Sequence, residues 1–184
     1  APVFMDDTKN NYGVIGRADT LHSCQYLTAD VRPSLQLTGA LTLSCWVRYP
    51  VATTERTCFM SQSDWVYDKV SYKLAKVPND STGAIWLGLN GNWCYSGPSA
   101  DISTWNYVAA SFNPADSIVR YYINGIESGT CQFSSSILEK SNSPFIVGRQ
   151  RSSGDDECYT GSIDEVRVEA TVRTAHWIKL SYLS

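Results

Sequence analysis

Apolar and polar residues alternate along short stretches of this chain, and Asn-Gly or Asn-Pro pairs end them. That pattern, more than any other feature, narrows the folds open to it. Residues 41–47 put Leu41, Leu43, Cys45 and Val47 on one face and Thr42, Ser44 and Trp46 on the other. A period of two is the mark of a half-buried strand. Strands are predicted in the same way over 71–77, 83–89, 105–112, 117–123, 144–148 and 162–168. Asn90-Gly91 stops the third, and Asn113-Pro114 stops the fourth. Asn124-Gly125 lies between residues 117–123 and Ile126, and predicts a hairpin, because a type I′ turn needs positive φ at both central positions. The tail alone reads as helix: Thr174 caps a short turn over 175–182, with Trp177 and Leu180 one turn apart. Many short strands and almost no helix predict an all-β, two-sheet antiparallel β-sandwich or jelly roll with a short C-terminal helical turn. Nothing in the sequence marks an internal linker, so one domain over residues 1–184 is expected.

Composition excludes several function classes. Fifteen Lys and Arg against 18 Asp and Glu give a net charge of −3, which argues against a general nucleic-acid binder. Charged residues make up 18% and aromatics 12%, the reverse of the balance that keeps a chain disordered. No apolar run approaches the roughly 18 residues of a transmembrane helix, and no signal-peptide core is present. The six cysteines, Cys24, Cys45, Cys58, Cys94, Cys131 and Cys158, form no C-x-x-C pair, and His22 and His176 stand near no cysteine pair. That spacing speaks against structural zinc. It favours disulfides and an oxidising compartment, although buried free thiols are the competing reading and suit Cys45, inside an apolar strand. Spacing alone does not assign partners.

Several segments together resemble one family. Residues 37–48, Trp105-Asn-Tyr-Val-Ala, Tyr121-Tyr-Ile-Asn-Gly125, Phe145-Ile-Val-Gly148, Gly161-Ser-Ile-Asp-Glu-Val-Arg-Val168 and the tail from Arg173 to Tyr182 occur in the order found in LamG-like jelly-roll modules. These belong to the concanavalin A-like lectin/glucanase superfamily, in the form found in secreted bacterial proteins. The resemblance implies the sandwich fold. It does not by itself give a function, because the fold hosts lectins, carbohydrate-binding modules, adhesion domains and hydrolases. Some relatives hold calcium on acidic side chains and backbone carbonyls. By that resemblance Asp164, with Asp19, is the candidate calcium pair, although His22 stands where an acid is common, and Asp164 could instead pin backbone N–H groups.

Glycoside hydrolysis needs two carboxyls flanking the scissile bond. The E-x-D-x-x-E strand motif of the superfamily's glucanases is absent, and so is a G-x-S-x-G elbow. Sugar binding needs an aromatic platform beside polar groups. Trp46, Trp105 and Trp177 fall within the recurrent motifs and are assigned to structure. The informative aromatics lie outside the motifs, in polar stretches read as loops. Trp65 and Tyr67 stand beside Asp64, and Trp93 and Tyr95 beside Asn92. A third loop carries Arg149, Arg151 and Asp155. Aromatics in loops favour binding, while the plainer reading has them fold back over the sandwich edge. The expected function is a non-catalytic, lectin-like carbohydrate-binding module of a secreted or cell-surface protein, its partner a poly- or oligosaccharide. The alternative is an adhesion or structural subunit of a surface assembly, with residues 1–5 as a strand-donating arm.

Overall fold

A computed structural model describes residues 11–12, 14–48, 57–64, 69–77, 84–99, 104–134, 138–150 and 157–184. Thirteen strands form two antiparallel sheets. The seven-stranded sheet consists of β1 (Asn11–Tyr12), β2 (Arg17–Leu21), β4 (Leu41–Arg48), β9 (Asn106–Asn113), β10 (Ile118–Ile123), β11 (Ile126–Gln132) and β13 (Gly161–Glu169). Its spatial order is β1-β2-β13-β4-β9-β10-β11. The six-stranded sheet consists of β3 (Leu27–Ala29), β5 (Thr57–Asp64), β6 (Lys69–Lys76), β7 (Ala84–Leu89), β8 (Asn92–Ser99) and β12 (Phe145–Val147), in the order β3-β12-β5-β6-β7-β8. Sequence neighbours β5 to β8 pair as a meander, and so do β9 to β11. The non-local pairs β13–β4, β4–β9 and β12–β5 make this a sandwich with crossed connections.

The predicted alternation sets the core. Leu41, Leu43, Cys45 and Val47 point inward from β4, with Val108, Ala110 and Phe112 beside them on β9. They meet Phe59, Met60, Tyr72, Leu74, Ile85, Leu87 and Leu89 of the other sheet, all without solvent exposure. Burying each such side chain contributes about 1.5–3 kcal/mol. Tyr121 crosses this core from β10. Its hydroxyl donates to the Cys94 carbonyl and accepts from the Leu87 N–H, so one buried phenol ties the two sheets.

The outward face of the seven-stranded sheet carries Trp46, Tyr107, Ala109 and Tyr122. The helix α1 (Ala175–Leu183) covers them with Trp177, Ile178 and Tyr182. The Thr174 hydroxyl accepts the Trp177 N–H, the predicted cap. Asn124 and Gly125 both have positive φ, as the hairpin requires, and a Cβ on Gly125 would lie 3.1 Å from the Lys179 Cα. Glycine here therefore serves both the turn and the helix contact. Trp46 and Trp177 are structural, as expected.

The cysteines divide. Cys24 pairs with Cys158, and Cys94 on β8 pairs with Cys131 on β11. The second bridge staples the edge strand of one sheet to the edge strand of the other. Cys45 and Cys58 are free and buried. No helix among the described residues is long and apolar enough to cross a membrane.

Strands β1, β2, β3 and β5 were not predicted, and two stretches read as loops lie in strands. Residues 90–97, read as a loop, turn at Asn90-Gly91 and continue as β8. Asp64, read as part of a loop, ends strand β5. Both belong to strands whose polar composition hides the alternation. β8 is an edge strand, where Pro98 is tolerated.

Candidate functional site

The outward face of the six-stranded sheet can be assembled from register. On β7, Ile85, Leu87 and Leu89 point into the core, so Ala84, Trp86 and Gly88 point out. Gly88 pairs with Lys73 on β6 and with Trp93 on β8, and Lys73 pairs with Ser61 on β5. One row therefore runs Ser61–Lys73–Gly88–Trp93. The adjacent row runs Cys58–Ala75–Trp86–Tyr95.

Gly88 makes the site possible. A Cβ at that position would stand 2.3 Å from the Trp93 Cζ3. The missing side chain lets the Trp93 indole lie down across the row. Its ring packs on Trp86, with centroids 4.2 Å apart and planes at 55°. Tyr95 stacks on Trp86 from the neighbouring position, at 6.1 Å and 10°. Trp86 is buried and Trp93 half-buried, while Tyr95 is 53% exposed. The result is an aromatic shelf at the β8 edge with its outermost ring in solvent.

A buried cation lies behind the shelf. The Lys73 Nζ donates to the Glu157 Oε2 at 2.6 Å and to the Gln150 Oε1 at 2.9 Å. It also lies 4.5 Å from the Trp86 ring centre and 4.6 Å from that of Trp93. Lys73 has no exposure and the Glu157 side chain 8%, so protein groups rather than water solvate both charges. Chain segments crossing this face hold the partners in place. Ser61 Oγ donates to the carbonyls of Arg149 and Gln150, Ser63 Oγ donates to that of Gln150, and the Cys58 N–H bonds the Glu157 carbonyl. Burial pushes the Cys58 thiol up to about 12 despite the neighbouring Lys73 cation. It is an inert thiol under the shelf.

The structure brings together only some of the nominated residues. Trp93 and Tyr95 share the shelf. Asn92 pairs with the inward-facing Leu89, so it lies on the other side of β8 from Trp93, and its amide donates to the Asn90 carbonyl. Arg149 is buried, its guanidinium over the Tyr26 ring at the opposite edge. Trp65, Tyr67, Arg151 and Asp155 lie outside the described residues, as do residues 1–5 and the side chain of Asp64. Trp86, Lys73, Gln150 and Glu157 were not nominated. The alternation Ala84-Ile-Trp-Leu-Gly-Leu89 already placed Trp86 outward. Nothing local placed the Lys73 partners, which come from residues far along the chain.

Asp164 and Asp19, the candidate calcium pair, lie on opposite sides of the sheet. Asp19 pairs with Ile163, which points into the core, so Asp164, one residue on, faces the other way. The Asp164 Oδ2 accepts the Ile15 N–H at 3.1 Å and its Oδ1 the Glu165 N–H at 2.9 Å, so it pins backbone at the β13 bulge. Calcium takes roughly six to eight oxygens. Among the described residues no group of three or more acidic, His or Cys side chains gathers around one point.

Known proteins share this fold. No curated protein sequence matches the chain. Among solved structures, domain 4 of AbnA, an extracellular GH43 arabinanase from Geobacillus stearothermophilus, in complex with arabinotriose, aligns with TM-score 0.71 at 21% identity, covering 95% of this chain and 81% of that one. The CBM40 of an IT-sialidase from Ruminococcus gnavus, bound to α2,3-sialyllactose, aligns with TM-score 0.66 at 12% identity over 89% and 96% of the two chains. A heptameric SAP-like pentraxin from Limulus polyphemus gives 0.59 at 15% over 84% and 79%. At such identities these likenesses establish the fold. The model of a family described as the concanavalin A-like lectin/glucanases superfamily matches residues 22–179, and the chain belongs to that superfamily.

Proposed function

We propose that the protein is a non-catalytic, lectin-like module that binds oligosaccharides outside the cell through the outward face of its six-stranded sheet. The observation that carries this reading is the shelf of Trp86, Trp93 and Tyr95, with Tyr95 in solvent and a buried, hydrogen-bonded Lys73–Glu157–Gln150 cluster behind it. Sugars offer apolar C–H faces that pack on such rings, and a rigid shelf loses little entropy on binding. The arabinotriose and sialyllactose complexes of similarly folded domains support the ligand class. Two disulfides support an oxidising, extracytoplasmic compartment. The CBM40 among the similarly folded domains supports a non-catalytic role.

A glycan array probed with the native protein, Tyr95→Ala and Trp93→Ala tests the reading, with the Tm of each protein recorded alongside. Both variants are expected to lose the glycan signal, and Tyr95→Ala to keep its Tm, since its ring is half in water. Retained binding by both folded variants would refute the site. Repeating the array in calcium and in chelator tests the calcium expectation: an unchanged signal would place binding outside any calcium dependence.

A further inference from the structure

The opposite end of the same sheet face holds a charge that has no counter-charge among the described residues. Alternation along β3 sends Leu27 and Ala29 into the core and Thr28 outward, so Tyr26 begins on the same outward side as Ser61 and Trp93. Arg149 lies over its ring, 4.9 Å from guanidinium carbon to ring centre. Arg149 is only 7% exposed, and its Nε is buried with no hydrogen-bond partner. No carboxylate among the described residues forms an ion pair with it. An unpaired buried charge is costly, and folded proteins rarely keep one without use.

The surrounding backbone is built rather than loose. The Gly148 N–H bonds the Phe59 carbonyl, the Tyr159 N–H bonds the Gly148 carbonyl, and Ser61 Oγ holds the carbonyls of Arg149 and Gln150. Tyr26 packs against the guanidinium, whose Nε–H is left without an acceptor, and such a planar fork is matched by a planar acceptor. A carboxylate fits that fork in two parallel bonds.

We propose that Arg149 and Tyr26 form a subsite for the carboxylate of an acidic saccharide, at the end of the sheet face away from the Trp93–Tyr95 shelf. This rests on the saccharide-binding reading above and narrows its ligand class. By strand order the two ends stand about 24 Å apart, five spacings of about 4.8 Å. A ligand touching both is therefore an oligosaccharide with an acidic residue toward the β3 edge.

The test uses matched probes long enough to span both ends, α-1,4-hexagalacturonic acid against its carboxyl-reduced form, the α-1,4-linked galactose hexamer, together with the short pair 3′-sialyllactose and lactose. Affinities are measured by calorimetry for the native protein, Arg149→Gln and Arg149→Lys. The native protein is expected to bind at least one acid about tenfold or more tighter than its neutral partner, a preference that weakens as salt rises. Arg149→Gln is expected to bring the pair level, and Arg149→Lys to keep only part of the preference. Equal binding of acid and neutral probes by the native protein would overturn the proposal, as would an Arg149→Gln protein that keeps the preference. If Arg149→Gln does not fold, the native preference with its salt dependence and the Arg149→Lys loss decide the matter. Neutral glycans bound through Tyr95 without acid preference would sink this subsite and leave the proposed function standing. No glycan bound at all would sink both.

Discussion

Replacing Lys73 with Met breaks the most concentrated set of interactions on the candidate face. The Met side chain keeps most of the packing volume against Trp86 and Trp93 but removes the cation. The Glu157 carboxylate, 8% exposed, then loses its ion pair, and the Gln150 Oε1 loses a donor. Removing one partner of a buried pair costs about 3–5 kcal/mol, most of it the stranded charge. The two ring contacts add about 0.5–1 kcal/mol each at most. Glu157→Gln strands the ammonium less completely, since an amide oxygen can still accept from it, and about 2–3 kcal/mol is expected. The double replacement removes both charges, so its cost should fall well below the sum, leaving a coupling of about 2–3 kcal/mol. Urea unfolding of the four proteins measures this. With a slope near 2 kcal/mol/M, Lys73→Met should lower the midpoint by about 1.5–2.5 M. Single effects that add within about 0.5 kcal/mol, or a Lys73→Met cost below about 1 kcal/mol, would mean the pair behaves like an exposed one and that the segment bearing Gln150 and Glu157 is not anchored as described.

Three further outcomes follow from the same geometry. Gly88→Ala places a Cβ where the Trp93 ring now lies, so the indole must lift; stability should drop by about 1–3 kcal/mol with a red shift in tryptophan emission, and unchanged emission would contradict the described packing. Reducing the Cys94–Cys131 bridge, which closes 37 residues of chain, should cost about 2–4 kcal/mol in denaturation, and a Cys94→Ser/Cys131→Ser protein of native stability would show that the sheet edges need no staple. Burial raises the folded-state values of Cys45, Cys58, Tyr72 and Tyr121 above the ordinary thiol and phenol values. The unfolded chain therefore releases these protons first, so the stability they give is complete below about pH 8.5. It should fall as pH rises from there toward 12, and a midpoint flat from pH 8 to 11 would refute the assigned burial.

Much of the fold was legible because alternation is a local property. Leu41, Leu43, Cys45 and Val47 announce their face without reference to anything else, and Asn124-Gly125 announces its turn. The helix cap at Thr174 is equally local. β8 was misread because an edge strand with one wet side carries Asn92, Ser96 and Ser99 among its aromatics, and composition outweighed period. The shelf was half legible: Trp93 and Tyr95 stood out as aromatics off the family motifs, and Trp86 could have joined them by counting alternate residues from Ile85. Lys73 could not, because a lysine on an outward position reads as solvated until Gln150 and Glu157 arrive from more than 70 residues away. The pairing of Cys24 with Cys158, 134 residues apart, is set by strand order and not by spacing. Spacing could not show that Asp19 and Asp164 face opposite sides of the sheet, which follows from Ile163 standing opposite Asp19.

Tryptophan indole N–H resonances in a nitrogen-15 spectrum, recorded while the strongest array ligand is added, test the saccharide face most directly. The chain has six tryptophans, and the described structure sets Trp86 and Trp93 on the six-stranded sheet and Trp46, Trp105 and Trp177 around the helix on the opposite sheet. The Trp86 and Trp93 signals should shift with ligand while the helix-side three stay in place. Movement of the helix-side group with Trp86 and Trp93 unmoved would contradict the proposed site.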